Sequence, residues 1–152
     1  MANLDELYRE IILDHYRSPR NRGELPSPPA LRVEGFNPLC GDEITLYLDV
    51  RDGVLVDIKV AGQGCSISQS SASLMSAAVK GRSLADVNAA VERFKRLMTV
   101  HESGPGAADD TEEVDLRALG ELAALQGVVK FPVRIKCATL AWNTLVQGLA
   151  DA

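Results

Sequence analysis

The chain has 152 residues, 46% of them hydrophobic, with 16 basic and 21 acidic side chains and a net charge of −5. This length and balance fit a single globular domain spanning residues 1–152. The acidic balance argues against a nucleic-acid ligand, and no apolar run approaches the roughly 20 residues of a membrane span. The charged start MANLDELYRE lacks the apolar stretch of a secretory leader, so a cytoplasmic protein is expected.

Asn3 and Glu6 read as a capping box, and Leu4, Leu7, Tyr8, Ile11 and His15 then share one helical face. The spacing predicts a helix over about residues 4–17, ended by Pro19. The proline-rich stretch RSPRNRGELPSPP reads as an extended connection. Leu31 and Val33 mark a short strand. Ile44, Leu46, Leu48 and Val50 alternate with other residues, as do Val54, Val56, Ile58 and Val60. Arg51-Asp52-Gly53 between these runs supplies turn chemistry and predicts a β-hairpin with one buried face.

After Gly62-Gln63-Gly64 the period changes. Serines and alanines dominate from Ser66 to Val79, with Gly81 as the stop signal. The serines read as small residues that let a helix pack closely on a sheet. Ser83 and Asp86 open another helix, whose face carries Val87, Ala90, Val91, Phe94 and Met98. The acidic stretch from Glu102 to Asp115 reads as a solvated loop. A helix over about residues 113–126 follows, on Leu116, Leu119 and Leu122. Pro132 precedes a last helix with Ile135, Ala138, Trp142, Leu145 and Leu149 on one face. Strands come first and helices after, so the expected class is α+β: a three-stranded antiparallel sheet with helices on one face.

There are three cysteines, an odd number, and a reducing compartment disfavours disulfides; metal binding, thiol chemistry and core packing remain. Cys40 and Asp42 form C-G-D at the entrance to the hairpin, where Gly41 lets the backbone turn both side chains to one centre. Cys65 follows Gly-x-Gly where a strand gives way to a helix, and Cys137 lies in the first turns of the last helix. Helix N-termini favour thiolate over thiol, and thiolates are what zinc binds. Three sulfurs and one carboxylate oxygen suit a tetrahedral zinc site at one exposed end of the sheet. The residues alone leave a second reading open, three unrelated buried cysteines.

Four blocks carry a resemblance: LYREIILDHYRSPRNRG, NPLCGDEI, GQGCSISQSSASLM and FPVRIKCATLAW. Their order, their spacing and the chain length resemble the U-type iron–sulfur cluster assembly family, and within it the SufU branch. The resemblance implies that Cys40, Asp42, Cys65 and Cys137 hold zinc. It implies a pyridoxal-phosphate-dependent cysteine desulfurase as partner and a downstream iron–sulfur scaffold as recipient. In that branch a histidine of the partner displaces a cysteine from zinc, and the freed thiolate attacks the partner's persulfide; Cys40 matches this acceptor. The implied function is a sulfurtransferase that works with the desulfurase and does not turn over alone. Two rivals stand beside it: a scaffold holding a [2Fe–2S] iron–sulfur cluster on the same cysteines, and a purely structural zinc module.

Two departures separate the branches. The scaffold branch places a histidine directly before its last cysteine, where this chain has Lys136, a poor metal ligand. It also carries an LPPVK segment, where this chain reads Lys130-Phe131-Pro132-Val133-Arg134. Arg134, three residues before Cys137, either supports the site by pairing with Asp42 or is a solvated arginine. His15 reads as a core-packed helix residue, and neither it nor His101 has a ligand motif nearby.

Overall fold

The computed structural model describes residues 4–27, 29–38, 41–102, 124–125 and 132–150, with only the backbone described for residues 4–8, 99–102 and 132. Cys40, most of the acidic stretch, most of the 113–126 helix expectation, Lys130, Phe131 and the Asn3 cap lie outside these residues. Among the described residues the order is α1 (Leu4–Arg17), β1 (Leu31–Asn37), β2 (Asp42–Arg51), β3 (Val54–Gln63), α2 (Ser66–Val79), β4 (Arg82–Ser83), α3 (Leu84–Glu102) and α4 (Pro132–Ala150).

The sheet is antiparallel, in the order β1-β2-β3-β4. It therefore has four strands where the sequence suggested three. β4 is two residues long, too short to show an alternation. It forms because the chain leaving α2 returns to the hairpin, where Gly81 N–H donates to Leu55 O (2.7 Å) and Leu84 N–H to Gly53 O (2.9 Å). The hairpin turn and the β2 face follow the sequence reading, but the expected β3 face of Val54, Val56, Ile58 and Val60 does not in full: a register shift at Asp49/Val50 buries Leu55 and leaves Val56 exposed. Asp52 and Gly53 both have positive φ, 52° and 75°, as a two-residue type I′ turn requires. Ile44, Leu46 and Leu48 of β2, with Leu55, Ile58 and Val60 of β3, form the buried face.

Helices cover that face. Ile135, Ala138, Ala141, Trp142 and Leu145 of α4 and Val87, Val91, Phe94 and Met98 of α3 join the strand residues in one apolar cluster. The Phe94 and Trp142 rings stack at 4.4 Å with 9° between planes. Pro132 is the first residue of α4 rather than a residue before it, the helix position where a missing N–H costs nothing.

α2 is buried on almost every side. Its serines do more than reduce bulk. Ser71 Oγ donates to Ala138 O (2.6 Å) and accepts from Trp142 Nε1 (3.1 Å), which ties α2 to α4. Ser73 Oγ accepts from Arg20 N–H (2.8 Å) and lies 2.7 Å from Nδ1 of His15, which is buried in the core as expected. Ser76 Oγ accepts from Asn21 Nδ2 (3.0 Å). The connection after α1 is also held to β3, where Val60 N–H donates to Asn21 O and Gly23 N–H to Val60 O. Among the described residues the buried polar side-chain atoms are thus each matched by a partner, as burial demands.

Candidate metal centre

Asp42 continues the inward-facing stripe of Ile44, Leu46 and Leu48, one step beyond its apolar end. A carboxylate there is only 1% exposed and needs donors. It has two: Cys65 N–H donates to Oδ1 (2.9 Å) and Asn37 Nδ2 to Oδ2 (3.3 Å). Gly41, with φ of +70°, provides the turn into the strand just before Asp42.

Cys65 is the N-cap of α2, with extended backbone (φ −72°, ψ 169°). Its Sγ accepts from Ser68 N–H (3.5 Å), and its carbonyl accepts from Ser68 Oγ (3.1 Å) and Gln69 N–H (3.0 Å). The sulfur thus takes the place usually held by a serine or aspartate oxygen in satisfying an orphan N–H. Gly64 makes this approach possible. A Cβ there would collide with Asp42 Oδ1 and lie 2.5 Å from Ser68 Oγ.

Cys137 is fully buried on α4, in its second turn rather than at its N-terminus. Its Sγ is 3.9 Å from Val133 O and 3.6 Å from Asn37 Nδ2. The Ser71 bond to the Ala138 carbonyl, one residue further on, fixes α4 against the helix that Cys65 caps.

One carboxylate oxygen of Asp42 and the sulfurs of Cys65 and Cys137 all lie within 4.8 Å of one another. Neighbouring sulfurs in a tetrahedral zinc site with Zn–S near 2.3 Å are separated by about 3.8 Å, so small side-chain adjustments would close the set on one ion. Two thiols and a carboxylate are zinc-type donors. Three of the four expected ligands therefore meet, although 23 and 95 residues separate Asp42 from Cys65 and Cys137. The position of Cys40 lies outside the described residues. The group sits at one end of the sheet, but of its members only Cys65 is partly exposed.

Arg134 and Lys136 are both exposed on α4, while Cys137 is buried. Asn37, which touches two members of the group, was not singled out by sequence reasoning. The available signal was the alternation of Leu31 and Val33, which carried on through residues 35 and 37 puts Asn37 on the inward face, opposite Asp42.

Residues 7–138 match the NifU-like N-terminal domain. The chain is 44% identical over 149 residues to the zinc-dependent sulfurtransferase SufU of Bacillus subtilis, covering 98% of this chain and 93% of that protein. It is 36% identical over 149 residues to the iron–sulfur cluster assembly scaffold protein IscU of Streptococcus pyogenes, covering 98% and 86%. Among solved structures, a putative SUF-system scaffold protein from Fervidobacterium islandicum superposes with a TM-score of 0.80 at 29% identity, covering 97% of this chain and 99% of that one.

Proposed function

This chain belongs to the NifU-like N-terminal domain family, and from that premise we propose that it is a zinc-dependent sulfur acceptor in iron–sulfur cluster assembly. The observation that carries the reading is the convergence of Asp42, Cys65 and Cys137, three zinc-type donors brought together from a strand start, a helix cap and a helix interior. The near full-length identity to a zinc-dependent sulfurtransferase supports it.

Asp42, Cys65 and Cys137, with Cys40 as fourth donor, hold the zinc. Bound zinc keeps its cysteine ligands deprotonated and shields them from oxidation. Cys40 is the acceptor. Its thiolate attacks the outer sulfur of a persulfide carried by a cysteine desulfurase. A new sulfur–sulfur bond forms on Cys40, the partner's sulfur–sulfur bond breaks, and the partner's cysteine leaves as thiolate. Asp42 stays in place because Cys65 N–H and Asn37 hold it. Cys137 stays because it is buried on a helix that Ser71 anchors. Arg134 is exposed one turn before Cys137, where its charge would offset the negative donor set.

The scaffold reading draws on the relatives named as scaffolds. Lys136 weighs against it, being exposed and a cation where that branch carries a histidine. Metal analysis separates the readings. About one zinc per chain, with sulfide release by a cysteine desulfurase raised by the zinc-loaded protein and not by the metal-free protein, supports the acceptor. A stable coloured cluster that passes to an apo-protein after anaerobic reconstitution supports the scaffold and contradicts the acceptor.

A further inference from the structure

Asn37 is the last residue of β1 and is 6% exposed. Its amide nitrogen lies 3.3 Å from Asp42 Oδ2 and 3.6 Å from Cys137 Sγ. An amide nitrogen carries two protons and accepts nothing, so it suits two neighbours that both accept. Carboxylate and thiolate, the forms that bind a metal, are such acceptors. Turning the amide over would set its oxygen against the carboxylate oxygen.

This placement has identifiable causes. The β1–β2 register puts Asn37 directly opposite Asp42. Gly35, two residues earlier on the same face, lacks the Cβ that would collide with Thr144 Oγ1 and lie 3.3 Å from Leu140 Cδ1. The missing side chain lets α4 settle on β1, and that brings Cys137 beside Asn37. No apolar residue at position 37 would reach across to both donors with a proton for each.

We propose that Asn37 is the positioning residue of the metal centre. Its amide bridges Asp42 and Cys137, holds them at one spacing, and makes them the fixed pair of the donor set. Cys65 is outside this bridge and is held by its helix cap instead. The inference rests on the zinc reading given above and names a residue that acts through two ligands rather than on the metal. Groups that orient ligands in this way typically contribute about 10–100-fold to metal affinity.

The test uses Asn37→Leu, which keeps the branched shape and heavy-atom count of asparagine but is bulkier and has no donors, and Asn37→Ala. Zinc affinity is measured on the full chain by competition with a chromophoric chelator. The cobalt(II)-loaded protein is examined by visible absorption, and the metal-free protein by urea unfolding. The expected result is a roughly 10–100-fold loss of zinc affinity in both variants, with altered cobalt bands in the folded protein. Should Asn37→Leu fail to fold, Asn37→Ala, which adds no bulk, carries the comparison. Affinity within about twofold of wild type, with unchanged cobalt bands, overturns the proposal even if the metal-free protein is less stable, since that is the pattern of a merely structural side chain. A wild-type chain that binds no zinc overturns the functional reading itself, and the positioning role with it.

Discussion

The backbone N–H of Cys65 donates to Asp42 Oδ1 at 2.9 Å, so the carboxylate that opens one element is held by the backbone of another. The bond joins the start of β2 to the cap of α2 and makes the two donor positions interdependent. Asp42→Ala removes a ligand and also leaves the Cys65 N–H without its carboxylate. Zinc affinity is expected to fall by more than the roughly 10–100-fold that loss of an outer hydrogen-bond partner costs. A chelator competition titration checks this, and a loss smaller than that range would mean that Asp42 does not ligate.

Gly64 stands where the two donors come closest. In Gly64→Ala the added methyl meets Asp42 Oδ1 and Ser68 Oγ, so these side chains or the backbone must shift. Overpacking of this kind costs about 1–3 kcal/mol, and here the displaced atoms belong to the candidate donor Asp42 and to the first turn of α2. Lower urea stability together with impaired zinc loading is expected. Gly41→Ala is the contrast: its methyl meets no described atom within 4 Å, so only the positive φ is penalised.

Much of this arrangement is legible in the sequence. The hairpin turn is written in Asp52-Gly53, the β2 face in its alternation, and the faces of α3 and α4 in a 3.6-residue period. The start of the β3 face was misplaced because an irregularity at Asp49/Val50 shifts the register and turns Leu55 inward in place of Val56. Cys65 as the opening of a helix follows from Gly-x-Gly and the change of period. Asn37 was missed because the strand read from Leu31 and Val33 was not carried on to residue 37, and Asp42 and Cys137, which its amide meets, lie five and 100 residues away. The hydroxyl partners of Ser71, Ser73 and Ser76 were missed for a similar reason. A small side chain on a helix has the same local signature whether it merely makes room or forms a hydrogen bond. β4 was missed because pairing of two residues depends on where α2 ends.

Ser71→Ala tests the tie between α2 and α4. It leaves the buried Trp142 Nε1–H without its acceptor and removes the hydroxyl bond to the Ala138 carbonyl. An orphaned buried donor costs about 1–3 kcal/mol. Urea unfolding followed by fluorescence of Trp142, the one tryptophan in the chain, is expected to show a lower midpoint. An unchanged midpoint would remove this bond from the account of how α4 is positioned.

Zinc removal should weaken the protein without unfolding it. The apolar cluster from Val33 to Leu145 is built by strands and helices that do not depend on the metal. Metal-free protein should therefore keep its far-ultraviolet circular dichroism at room temperature and melt at a lower temperature than the zinc form, as linkage requires. Complete loss of helix signal on chelation would make the zinc structural in the manner of a finger.

On the proposed reading Cys40 receives the sulfur. The most direct measurement incubates the zinc-loaded chain with a cysteine desulfurase and cysteine, traps thiols by alkylation, and maps the added sulfur by peptide mass spectrometry. Persulfide is expected on Cys40, with none in Cys40→Ala and loss of desulfurase stimulation in that variant while its fold persists. Sulfur mapped to Cys65 or Cys137 with Cys40 unmodified, or full stimulation by Cys40→Ala, would contradict that reading.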